Sequence, residues 1–288
     1  MRLRFTCLIL SLVGVLGSFS AQGQQQLVYG RGATASGPMD LLADVYTPRG
    51  VCLSPRPTAV YAHGGGFRNG SRQNSKARLM AAAYTAAGFN FVSISYRLAG
   101  DQPVIGPAFQ PLVTAGIARG EEKYPGQGQA AAAAMEDMIT ALWALHRNAS
   151  ALCVDGESLV LIGSSAGAVM ALNVGYSMDD WGIAAPPVAA VVDLWGAALL
   201  PENIAARDVP LFIVHGERDQ TTPFDAAEDY WARALATGTP VHLHAFQNAR
   251  HGVGLRERVG GQRLVDLMVA FSQDAVVGRT IQSRRTRN

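Results

Sequence analysis

Seven short apolar runs, separated mostly by longer helix-like stretches, limit what this chain can fold into more than any other feature. They read LLADVY, TAVYAHGG, FNFVSISY, SLVLIGSS, VAAVVDLWG, PLFIVHG and VHLHAF. The middle runs are apolar at consecutive positions, as parallel strands covered on both faces must be. Helical spacing predicts helices over residues 76–87, 130–148, 166–176, 224–237 and 262–273. Such alternation implies one α/β domain, a mostly parallel doubly wound sheet with helices on both faces. A chain of 288 residues with 49% hydrophobic and 16% charged residues has the material for that core. The domain is expected over residues 24–276.

The two ends read differently from the body. Arg2 and Arg4 precede an apolar run over residues 5–16 and then the small-residue stretch GSFSAQG. This is the pattern of a secretory signal, expected over residues 1–23 and cleaved after Ser20 or Gly23. The run is short for a bilayer span, so no stable membrane insertion is expected after cleavage. A secreted or periplasmic location follows. At the other end, Arg279, Arg284, Arg285 and Arg287 exceed the net charge of +2, which leaves the body near neutral and argues against a nucleic-acid partner. Residues 277–288 are therefore expected to be a basic, disordered tail. Residues 99–128, rich in Gly, Pro and Gln, read as a long surface loop with a role. Residues 197–209 leave little room for a lid.

Two glycine-rich stretches sit where a strand ends. Gly163-Ser164-Ser165-Ala166-Gly167 closes SLVLIGSS and opens a predicted helix. A serine held between small residues on such a turn projects its hydroxyl from the strand's C-terminal edge. The amide of Ala166, at the helix N-terminus, faces developing negative charge. The second stretch, His63-Gly64-Gly65-Gly66-Phe67, follows another strand. Its glycines let backbone N–H groups approach a ligand without side chains in the way, as an oxyanion hole requires. The Lys-Ser/Thr ending of a nucleotide phosphate loop is absent from it.

HGGGF followed by GSSAG resembles the α/β-hydrolase serine esterases of the hormone-sensitive-lipase and carboxylesterase-like group. SISYRLAG is similar to the strand and turn after the HGGG loop in those enzymes, and LADVYTP to the opening strand of their feruloyl-esterase-like branch. The resemblance implies an α/β-hydrolase fold from Leu41 to about Phe271, with Ser165 as nucleophile. It implies oxyanion N–H groups from Gly65, Gly66 and Ala166. The partners should follow in the order acid, then histidine. The pattern H-G-x-x-D with a following Pro, kept in HGERDQTTP, implies Asp219 as the acid; Glu217 and Asp193 are the alternatives. Among the six histidines, the resemblance implies His251, in NARHGVG, as the base. His63 and His215 read as loop braces, His146 as a helix-end cation, and His242 and His244 as packing or surface groups.

Such an enzyme needs no cofactor and no metal, and metal-ligand spacings such as H-E-x-x-H are not found. Its partner is a small-molecule or carbohydrate-linked ester, with short-chain, aryl or feruloyl acyl groups. Phe67 and Trp195 are candidates for lining the substrate pocket. Two other readings compete. One is a serine peptidase of the same fold, which normally brings a substrate-gating domain that this length does not accommodate. The other is a non-catalytic binding module on that fold, which usually lacks one of the three reacting residues. The sheet order implied by the resemblance also places the strand before HGGG beside the strand before GSSAG. Cys52 and Cys153 each precede those motifs by the same distance, at Gly64 and Ser165, so a structural disulfide between them is expected in an oxidising compartment.

Overall fold

The computed structural model describes residues 24–118, 125–197 and 201–288. The export signal expected over residues 1–23 lies outside them. The chain opens with β1 (Gln24–Gly32) and β2 (Met39–Tyr46), then β3 (Arg56–Ala62), α1 (Ser75–Ala86) and β4 (Asn90–Ile94). Next come α2 (Gln110–Ala118), α3 (Gln127–Arg147), the single turn α4 (Ala149–Leu152), β5 (Val154–Ser164) and α5 (Ala166–Tyr176). The remainder is β6 (Ala190–Leu194), β7 (Leu211–Gly216), α6 (Asp225–Thr237) and β8 (Val241–Phe246), a small hairpin of β9 (Arg258–Val259) and β10 (Gln262–Arg263), then α7 (Leu264–Val276) and β11 (Arg284–Arg287).

The main sheet has the order β1-β2-β4-β3-β5-β6-β7-β8-β11. Only the pairings of β2 with its two neighbours are antiparallel; the rest of that sheet is parallel. Every residue of β4, β6, β7 and β8 is buried, which is why β6 and β7 run apolar at consecutive positions and why the two histidines of β8 are enclosed. Val60, Leu161 and Ile213 face a core shared with α3, α5 and α6. Tyr61, Ile162 and Phe212 face the opposite core, shared with α1 and α7. The ladders put Ala62 beside Gly163 and Gly163 beside Asp193, so β3, β5 and β6 end level. Strand order reverses at β3 and β5, so the loops after them diverge around a crevice, the usual binding place in such sheets.

Three segments differ from the sequence expectation. β1 was not anticipated, because its QQQ start reads as polar linker; the strand earns its place on Leu27 and Tyr29, which are buried. Residues 99–128 are not all loop. Pro107 sits at the start of a short turn that leads into α2, whose Leu112 and Val113 are buried. The basic tail is a correction: residues 284–287 form β11, parallel to β8, with Arg284 opposite His242 and Arg287 opposite Ala245. An edge strand such as β8 offers unpaired backbone groups, and the tail takes them. Its arginines find carboxylates: Arg279 with Asp274, Arg285 with Glu228, Arg287 with Glu217. A count of charge alone cannot see those partners.

The loop after β4 is pinned by one buried cation. Arg97, 1% exposed, meets Asp137 and Glu136 at 2.7 Å each and donates to the carbonyls of Ala33, Val104 and Ala133. Burial pushes the Asp137 carboxyl up to about 6, against the pull of the guanidinium. Among the described residues no helix is long and apolar enough to cross a membrane.

Cys52 and Cys153 are bridged, with Cα atoms 6.0 Å apart and a sequence separation of 101. They precede β3 and β5, at the sheet edge away from the convergent loops. Closing a loop of this length removes up to about 4–5 kcal/mol of unfolded-state entropy in the chain-entropy model. The Cys52→Ser/Cys153→Ser double variant should keep the native circular dichroism at 25 °C and lose urea midpoint. An unchanged midpoint would show that the bridge contributes nothing.

Candidate active site

Ser165 stands between β5 and α5 in a conformation that non-glycine residues rarely adopt, φ 52° and ψ −119°. Such a geometry costs about 1–3 kcal/mol and persists only when its surroundings fix it. Here they do. The Ser165 N–H donates to the Leu194 carbonyl at 2.9 Å, and the Ser165 carbonyl accepts from Ala168 and Val169. A Cβ on Gly163 would lie 2.0 Å from the Gly167 carbonyl oxygen, and one on Gly167 would lie 2.1 Å from that of Ala62. Neither position can carry a side chain without prising α5 off the ends of β3 and β5.

That close approach lays the loop after β3 over the serine. A Cβ on Gly64 would stand 3.1 Å from the Ser165 Cβ. Gly65 has φ 126°, and its hypothetical Cβ would strike the Asn69 carbonyl, so this turn needs glycine. The Gly65 carbonyl accepts from the amides of Arg68 and Asn69. Gly66 follows on this loop with φ 62°, and Ala166 is the first residue of α5. His63 braces the loop as expected: its Nδ1–H donates to the Gly64 carbonyl at 2.7 Å, and its ring stacks on Tyr96 at 4.4 Å. Burial holds the His63 imidazole below its ordinary value, so it stays neutral.

His251, in the loop after β8, reaches both remaining groups. Its Nε2 lies 2.9 Å from the Ser165 Oγ and its Nδ1 lies 2.7 Å from the Asp219 Oδ2. A carboxylate only accepts, so Nδ1 carries the proton, and Nε2 is left to accept from the serine hydroxyl. Asp219, in the loop after β7, has a fully buried side chain, whereas that of His251 is 25% exposed. The amides of Thr221 and Thr222 donate to its other oxygen at 2.8 and 3.0 Å. His215 also braces, donating from Nε2 to the Thr222 carbonyl at 2.9 Å while burial keeps it neutral. The arrangement can take a proton from Ser165 and hold the resulting imidazolium beside a carboxylate.

The two pocket candidates are both buried. Trp195 is 2% exposed and packs into the core shared with α1 and α7, with the Lys76 ammonium 5.7 Å from its ring. Its φ of 50° marks a turn of the chain just after β6. Phe67 is 4% exposed and meets Tyr96 edge-on at 6.3 Å. Both rings are therefore held by packing, Trp195 in one core and Phe67 in the other. Two contacts have no motif in the sequence. Tyr61 and Ser164 share a hydroxyl hydrogen bond of 2.9 Å under the elbow, and the Tyr96 hydroxyl donates to the His63 carbonyl at 2.7 Å.

Similarities to known proteins agree with this architecture. Residues 196–277, which include Asp219 and His251, match the prolyl oligopeptidase family. The thermophilic esterase Est2 of the Planctomycetes species Thermogutta terrifontis superposes with TM-score 0.63 at 19% identity, covering 88% of this chain and 90% of that one. Its butyrate-bound form gives TM-score 0.64 at 18% identity, over 89% and 94%. Among curated sequences, the non-reducing polyketide synthase Preu6 of Preussia isomera is 31% identical over 155 residues, and the uncharacterized peptidase YuxL of Bacillus subtilis (strain 168) is 32% identical over 82 residues. These alignments take in 53% and 28% of this chain but only 6% and 12% of those proteins' lengths.

The alternative acids are engaged elsewhere. Glu217 turns away to Arg287, which holds its carboxyl below the ordinary value. Asp193 is fully buried on β6, accepts from the Gly196 amide at 2.7 Å, and has its carboxyl pushed up to about 7 by burial. The unfolded chain gives up that proton above about 4, whereas the folded chain keeps it until about 7. Stability therefore falls as pH rises through this window, by up to about 4 kcal/mol, and levels off above it. Asp193→Asn retains the acceptor and removes the titration. Its gain in Tm over the unsubstituted chain should be larger at pH 8 than at pH 5 in calorimetry; equal gains at both pH values would contradict the assignment.

Proposed function

We propose that this chain, an α/β-hydrolase by fold, is a serine carboxylic-ester hydrolase. The observation that carries the reading is the hydrogen-bonded relay from Ser165 through His251 to Asp219, beneath a glycine loop laid over the serine. Ser165 Oγ attacks the ester carbonyl carbon while His251 Nε2 accepts its proton. The negative charge gathers on the former carbonyl oxygen, where the N–H groups of Gly65, Gly66 and Ala166 are assigned to receive it; each such donor contributes about 3 kcal/mol in comparable sites. Collapse breaks the C–O bond, and His251 returns the proton to the leaving alcohol. Water then repeats the sequence on the acyl-enzyme and releases the acid. Asp219 holds the imidazole tautomer throughout.

The substrate class assigned is short-chain, aryl or feruloyl, or carbohydrate-linked esters. Support for the short acyl end comes from Est2, which has been described with propionate and with butyrate bound. The same esterase is phosphorylated by paraoxon, chemistry that an activated serine performs. A secreted or periplasmic location is proposed on the N-terminal pattern and is in keeping with the disulfide. Peptide hydrolysis is the second reading, favoured by the match of residues 196–277 to the prolyl oligopeptidase family.

A panel of p-nitrophenyl acetate and butyrate, a feruloyl ester and a prolyl peptide amide separates these readings. The esters should be cleaved, and the amide at least about a hundred-fold more slowly. Ser165→Ala and His251→Ala should each reduce kcat by about 10³-fold or more without altering the fold, whereas Ser164→Ala should not. Faster cleavage of the amide than of every ester would replace the esterase reading with the peptidase one. Retained turnover in Ser165→Ala would remove both.

A further inference from the structure

β11 lies next to the two loops that carry Asp219 and His251. Its parallel ladder on β8 continues past the strand end: the Asn288 amide donates to the Ala245 carbonyl and the Gln247 amide to the Asn288 carbonyl, both at 2.9 Å. Gln247 lies at the start of the loop that leads to His251. On the neighbouring loop, Arg287 grips Glu217 through two hydrogen bonds of 2.7 and 2.8 Å. Glu217 stands two residues before Asp219, and its own amide donates to the Phe246 carbonyl. The Arg218 amide donates to the Ala249 carbonyl, and a Cβ on Gly216 would strike the Ala249 and Arg250 carbonyls. The acid loop and the histidine loop are thus joined along one side, and β11 holds both from the other.

The rest of the strand is anchored as well. His244 Nδ1 shares a 2.8 Å hydrogen bond with the Thr286 hydroxyl, His242 Nε2 donates to the Gln282 carbonyl, and Arg285 meets Glu228 on α6. Burial and the nearby Arg284 hold His242 at about 4 and His244 at about 3, so both remain neutral spacers under the strand.

We propose that β11 is a positioning strand for the reacting groups: through Arg287 on Glu217 and Asn288 on Gln247, it sets the spacing of the Asp219 and His251 loops. The inference rests on the esterase reading of the relay. The Arg287 side chain is 64% exposed and that of Glu217 16%, so the pair adds little to global stability. Its effect should appear in turnover instead, because small displacements of a relay are strongly felt.

The test compares Arg287→Ala, Glu217→Ala, their double variant, Arg287→Lys and a control, Arg279→Ala, in the full chain. Arg279 pairs with Asp274 near the end of α7 and touches neither loop. Steady-state hydrolysis of p-nitrophenyl butyrate and the rate of phosphorylation by paraoxon are measured, with Tm alongside. Arg287→Ala and Glu217→Ala should each lower kcat by about five-fold or more, with KM within about two-fold, and should slow paraoxon by a similar factor. The double variant should be no worse than the poorer single one, Arg287→Lys should recover part of the loss, and Arg279→Ala should match the parent. An active parent indifferent to Arg287→Ala, or a control that loses as much, would overturn the positioning role alone. A parent inert to both ester and paraoxon would overturn the esterase reading and this inference with it.

Discussion

The close approach of α5 to the ends of β3 and β5 is the contact on which the rest of the site depends. It brings backbone against backbone at Gly163 and Gly167, distances that no side chain could share. Once the helix start is seated there, Ser165 has nowhere to go but the corner, and its unfavourable φ is held by hydrogen bonds from both sides. The same contact sets the height of the glycine loop, because Gly167 rests on the carbonyls of Ala62 and His63, where that loop begins. A single packing decision thus fixes the serine and brings the loop above it into range.

The other half of the site is assembled differently. Asp219 and His251 come from loops, and loops hold geometry only when something ties them. Asp219 is tied by its own turn, with two amides on one oxygen and the imidazole on the other. His251 relies on backbone bonds between the loops after β7 and β8, with β11 alongside. The sheet core is rigid because both faces are covered; the site inherits that rigidity through the strand ends.

Much of this was legible in the sequence. Runs of consecutive apolar residues in the middle strands gave the parallel sheet, because a strand covered on both faces favours apolar side chains on both. GSSAG at a strand end gave the elbow, since only small residues permit the approach just described. Asp219 and His251 were readable only through resemblance: an aspartate or a histidine in a loop has no local pattern that distinguishes a relay from a turn. The burial of Trp195 was not legible, because a position at a strand end says nothing about how deeply a ring packs into the core. β11 was missed for a related reason. Its partners, Glu217, Glu228 and the edge of β8, lie far away in sequence, so four arginines looked like a solvated end. Long-range pairing is what composition cannot carry.

The central claim is that Ser165, held at this corner and hydrogen-bonded to His251, becomes covalently acylated. The direct measurement is mass spectrometry of the chain mixed with p-nitrophenyl butyrate and quenched in acid within the first turnovers, followed by peptide mapping. The account predicts a butyryl adduct on the peptide containing residues 159–170, fragmenting to place the mass on Ser165. Rapid release of p-nitrophenol with no adduct on that peptide, or an adduct on Ser164 or elsewhere, would contradict it.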